Sequence, residues 1–70
     1  MQDYLKAIYL LGGDAAVSTT DIAERLAVRP ASVTSMVKKL AELRLVEHRS
    51  YHGVRLTYAG RKIALAVLRH

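Results

Sequence analysis

The sequence contains no cysteine, tryptophan or phenylalanine, and a single proline, Pro30. Without cysteine, neither a disulfide nor a thiolate zinc site can brace the fold, and a thiol nucleophile is excluded. Stability must come from an apolar core, which 70 residues with 51% hydrophobic side chains can supply. No apolar run approaches the roughly 20 residues that a membrane-spanning helix needs. Asp3 and Tyr4 stand where a secretory leader would be basic, so no leader is expected and the expected compartment is the cytoplasm. Serine, histidine and carboxylate side chains are not spaced as a catalytic triad, and no enzyme is expected. Repeats, low-complexity tracts and linkers are also missing, which leaves one small domain over residues 1–70.

What is present is positive charge in one place. Eleven Lys and Arg face six Asp and Glu, for a net charge of +5. Residues 1–24 hold one Lys against four acids, net −3, while residues 25–70 hold ten basic side chains against Glu42 and Glu47, net +8. Such a domain suits a polyanion, either nucleic acid or an acidic membrane surface. The later part of the chain is the part expected to meet it.

Apolar spacing gives the elements. Tyr4, Leu5, Ile8, Tyr9 and Leu11 recur at helical intervals over Gln2–Leu11, and Gly12-Gly13-Asp14 ends that helix. Ser18-Thr19-Thr20 supplies hydroxyls for a second start, with Asp21 in the first turn and Ile22, Ala23 and Leu26 inward. Ala27-Val28-Arg29 is long enough only for a turn. Pro30 then opens a third helix, expected over 31–43, with an inner stripe of Val33, Met36, Val37, Leu40 and Leu43. Residues 45–49 and 54–57 read as two strands around Ser50-Tyr51-His52-Gly53, a hairpin. A last helix starts at Tyr58 or Ala59, with Ile63, Ala64, Val67 and Leu68 inward. It carries no stop signal by His70, so the chain is expected to be a fragment of a longer protein.

Helix, short helix, turn, helix, hairpin, helix is the order of a winged helix-turn-helix, a mainly α fold with a small β-hairpin wing. A helix that reads the major groove buries one face and offers the other. Near its start it needs short side chains, so that the backbone approaches base edges and phosphates. Ala31, Ser32, Thr34 and Ser35 meet that need, and Lys38 and Lys39 reach flanking phosphates. Arg25 and Arg29 bracket the turn, and the N–H groups at the start of the third helix favour a phosphate. Thr34 offers either its hydroxyl to the DNA or its methyl to the helix packing.

At these residues the chain resembles the diphtheria-toxin-repressor (DtxR/MntR) family of metal-dependent repressors. The resemblance runs through Asp3-Tyr4-Leu5-Lys6-Ala7-Ile8-Tyr9-Leu10-Leu11, Asp21-Ile22-Ala23-Glu24-Arg25-Leu26 and Val28-Arg29-Pro30-Ala31-Ser32-Val33-Thr34-Ser35-Met36-Val37-Lys38-Lys39-Leu40. It continues at the wing exit, Leu56-Thr57-Tyr58-Ala59-Gly60-Arg61. It implies a homodimeric repressor on a palindromic operator, with Mn2+ or Fe2+ bound between this domain and the next. The metal would fix the spacing of two DNA-binding domains and so shift the population towards the binding geometry.

The resemblance also implies metal ligands. Asp3 falls on a ligand position of the manganese branch. Three residues on, where that branch has a ligand Glu, this chain has Lys6, and an ammonium repels a divalent ion. A family ligand His, counted from Gly60 without gaps, falls one position past His70, so a slip of one residue would make His70 that ligand. The bulk of the dimer contacts lie further on, and the 70 residues themselves are expected to be monomeric.

For other residues the bland expectation stands beside the sharp one. Tyr51, His52 and Arg55 on the wing either touch DNA or form an ordinary loop. Tyr4 and Tyr9 are expected in the packing, and His48 and His52 at the surface. Two further functions share the fold: a metal-independent winged-helix regulator, and a winged-helix protein-interaction module. A protein-interaction module has no need of a basic third helix.

Overall fold

Three glycine- or cap-terminated helices, a hairpin and a fourth helix follow one another in the computed structural model, which describes residues 2–49 and 53–69. The elements are α1 (Gln2–Gly12), α2 (Thr19–Leu26), α3 (Pro30–Glu42), β1 (Val46–Arg49), β2 (Gly53–Leu56) and α4 (Tyr58–Leu68). Ser18 caps α2, its hydroxyl accepting from the Asp21 amide at 3.0 Å. Thr57 caps α4 in the same way, accepting from the Gly60 amide at 3.1 Å. Each cap satisfies an amide that has no partner within its helix.

Every element contributes to one core. Leu5 and Ile8 of α1, Ile22 of α2, Val33, Val37 and Leu40 of α3, and Val54 of β2 are the largest fully buried side chains. Each such burial is worth about 2 kcal/mol. No polar or charged side chain among the described residues is buried. Helix α4 lies against α1, and α3 is held between α2 and β1.

The hairpin pairs Val46 with Leu56, Glu47 with Arg55, His48 with Val54 and Arg49 with Gly53, antiparallel. Val46, Val54 and Leu56 turn inward, while Glu47 and Arg55 point outward and form an ion pair at 2.9 Å. Val17 adds a one-residue third strand. It exchanges two backbone hydrogen bonds of 2.8 Å with Val54. Sequence periodicity carries no sign of a bridge that short. Gly53 is at φ +89, and a Cβ there would press on the Val17 carbonyl, so the start of β2 needs glycine.

The expected winged helix-turn-helix is the observed fold, with differences at the edges. Leu43 is not part of the inner stripe. It is the C-cap of α3, one position past the helix, and is 55% exposed. Leu11 and Leu68 are likewise exposed, because each lies at the last turn of its helix beyond the reach of the core. Ala7 and Gly60 are buried instead, small residues where two elements approach closely. Helix α4 ends at Leu68 with Arg69 as C-cap, two residues before the end of the sequence.

Candidate nucleic-acid interface

The turn between α2 and α3 is the narrowest constraint on the site. Ala27 sits in the left-handed region at φ 56, ψ 45, a conformation that costs a non-glycine residue about 1 kcal/mol. Its amide and that of Val28 turn back to close α2, Val28 donating to the Ala23 carbonyl at 3.0 Å. Arg29 is then extended and forms the N-cap of α3, and Pro30 starts the helix. Three residues thus fix α3 relative to α2.

On α3 one face is fully committed. Val33, Val37 and Leu40 have no exposed surface. The opposite face presents Ala31, Ser32, Thr34, Ser35, Lys38 and Lys39, all exposed. Positions 31, 35, 38 and 32, 35, 39 form neighbouring rows, about 12 Å from first to last. The small side chains come first and the lysines last, as the sequence led one to expect. Thr34 is exposed, and its hydroxyl donates to the Pro30 carbonyl at 3.2 Å. Its oxygen retains acceptor capacity. Unlike α2 and α4, α3 begins without a side-chain cap. Pro30 has no N–H, and the Ser32 and Val33 amides donate to the Arg29 carbonyl at 3.0 and 3.3 Å, so in the first turn the Ala31 amide is the one left for solvent or an anion.

Among the described residues, carboxylates engage two basic side chains outside the helix-turn-helix and none within it. Arg25, Arg29, Lys38 and Lys39 are exposed and take part in none of the ion pairs among the described residues. Arg55 is tied to Glu47 on the wing. Arg61 of α4 donates to Asp14 at 2.7 Å, and that hydrogen bond, reinforced by the carboxylate charge, raises its pKa further above the ordinary arginine value. Lys62 lies over the Tyr58 ring at 5.5 Å from its centre, a cation–π contact. Arg55 was expected either to touch DNA or to be bland; its cross-strand pairing with Glu47 is the feature that sequence reasoning missed. The symmetry of those two positions about the hairpin was the available signal. Tyr51, His52 and His70 lie outside the described residues.

The metal expectation meets a poor donor set. Asp3 is an exposed carboxylate in the first turn of α1, and Lys6 stands one turn later on the same face. Among the described residues no three of His, Cys, Asp and Glu come together as a cation site. A lone exposed carboxylate beside an ammonium does not fit a transition-metal ion, which takes several ligands at once.

The sequence model described as iron dependent repressor, N-terminal DNA binding domain, matches residues 1–54. The HTH-type transcriptional regulator MntR of Geobacillus kaustophilus (strain HTA426) is 48% identical over 66 residues, which is 90% of this chain and 45% of that protein. The crystal structure of T. acidophilum IdeR superposes with a TM-score of 0.83 at 32% identity, covering 97% of this chain and 32% of that one. That of ScaR with bound Zn2+ gives 0.81 at 35% identity, with the same coverage, 97% and 32%. The chain spans about half the length of the curated relatives it matches.

Proposed function

Because the chain belongs to the iron-dependent repressor family, as its N-terminal DNA-binding domain, we propose that α3 enters the major groove of double-stranded DNA with Ala31, Ser32, Thr34 and Ser35 towards base edges. Arg25, Arg29, Lys38 and Lys39 neutralise phosphates on either side, and the free Ala31 amide at the start of α3 donates to another. The observation that carries this reading is the pairing of two facts. The inner face of α3 is wholly buried, and the outer face carries cations that no carboxylate engages among the described residues. Affinity then comes mainly from phosphates and specificity from short polar side chains.

For a chain of the relatives' full length we propose a cytoplasmic homodimeric repressor, controlled by Mn2+ or Fe2+ and bound to a palindromic operator. The role is binding, without catalysis. The 70 residues themselves are proposed to act as a monomer that binds one half-site weakly, since a dimer supplies the second half-site. No metal step is assigned to them, because Asp3 beside Lys6 is a single donor. No helix of the described residues is long and apolar enough to cross a membrane.

The test is a salt titration of binding to duplex DNA, read by fluorescence anisotropy. Phosphate contacts by the four cations predict a log–log slope of about −3 to −4. A flat response would remove the DNA reading and leave the protein-interaction alternative.

A further inference from the structure

The large apolar side chains left exposed are Leu10, Leu11, Val28, Leu43, Tyr58 and Leu68. A single exposed aliphatic residue is ordinary on a protein surface. Val28 differs from the others in its place. It lies in the turn of the helix-turn-helix, next to Arg29 and three residues after Arg25, and is 38% exposed. Its backbone is pinned on both sides, by the left-handed Ala27 and by its own amide on the Ala23 carbonyl, with the α3 N-cap following. Its side chain is β-branched and stiff, so ordering it against a surface costs little entropy. It stands between two of the cations of the site, Arg25 and Arg29. On the major-groove edges of DNA the apolar feature is the 5-methyl group of thymine.

We propose that Val28 is a specificity-determining residue that packs on a thymine methyl group at the edge of the contacted half-site. The assignment rests on the major-groove docking of α3 proposed above. It adds apolar readout to a face otherwise made of hydroxyls and cations, and it selects thymine over cytosine at one position without a hydrogen bond. Burying one methyl group is worth about fourfold in affinity.

The experiment starts from a random duplex pool enriched by the 70-residue chain at low salt. Each thymine of the enriched site is then replaced by deoxyuridine, which removes only the methyl. One such replacement is expected to weaken the wild-type chain about fourfold, by the methyl value above. Val28→Ala, checked for folding by circular dichroism, should bind that uracil site and the parent site equally well; Val28→Ser serves if the alanine variant fails to fold. Indifference of the wild-type chain to every uracil, or an equal loss in the Val28 variants, overturns the assignment while the DNA reading stands. A pool that yields no enriched sequence, with binding insensitive to salt, overturns both.

Discussion

The hydroxyl of Thr57 donates to the carbonyl of Arg44 at 2.7 Å while accepting from the amide of Gly60 at 3.1 Å. One side chain thus joins the turn that closes α3 to the first turn of α4. The Thr57 amide adds a third bond, to the Leu45 carbonyl at 3.1 Å. Replacing Thr57 by Val keeps the shape and leaves two backbone groups unmatched. A cost of about 2 kcal/mol is expected. For a domain of this size that lowers the melting temperature by roughly 10 °C. Thr57→Ser should recover nearly all of it, as followed by circular dichroism.

Gly60 sits where α4 crosses Leu45 so closely that a Cβ would collide with the Leu45 carbonyl. In an isolated helix Gly→Ala is favourable by about 1 kcal/mol. Here the sign should reverse, with Gly60→Ala destabilising by about 2 kcal/mol or more, because backbone rather than a flexible side chain is met. A stabilised Gly60→Ala protein would show that α4 does not seat on the α3–β1 turn.

These two residues also show how much was legible in the sequence. Leu56-Thr57-x-x-Gly60 was readable as a wing exit through its resemblance to the family, a pattern that winged helices share in general; the cap hydroxyl and the close approach at Gly60 emerged from the structure. The helices and the inner face of α3 followed from period, and Ala31, Ser32, Thr34, Ser35, Lys38 and Lys39 from the complementary face. What stayed hidden depends on contacts far apart in the chain. The Val17–Val54 bridge has no period, and the Arg61–Asp14 pair spans 47 positions. The left-handed backbone at Ala27 and Arg44 was hidden as well, since neither is glycine.

Arg44 gives the next prediction. It occupies φ 60 directly after the C-cap of α3, the position where helices commonly end on glycine. The Leu45 amide reaches back to the Leu40 carbonyl at 2.9 Å, so the conformation is enforced by the closure of the helix. Arg44→Gly should stabilise the domain by about 1 kcal/mol. Chemical denaturation should show a higher midpoint with an unchanged slope.

Metal should act weakly on these residues. A single exposed carboxylate binds Mn2+ with a dissociation constant no better than about 1 mM, so about 1 mM Mn2+ adds at most about 0.4 kcal/mol. The melting temperature of the 70-residue chain is therefore expected to move by no more than about 3 °C. A larger rise that Asp3→Asn abolishes would mean that further ligands converge on α1.

The division between free and engaged cations yields the sharpest prediction for DNA. Each phosphate contact contributes about −0.9 to the slope of log affinity against log salt. Lys38→Ala and Lys39→Ala should each make the slope shallower by about that amount and weaken binding to all sequences alike. Arg55→Gln and Arg61→Gln remove the same charge from side chains held by Glu47 and Asp14. Their effect on the slope should be much smaller, since their carboxylates already serve as counterions. The Arg61 pKa is raised in the fold above its unfolded value, so the contribution of its protonation to stability is fully present at neutral pH, well below that value. The comparison is therefore free of arginine titration at neutral pH. Equal slopes for all four variants would show that net charge, and not the helix-turn-helix face, governs binding.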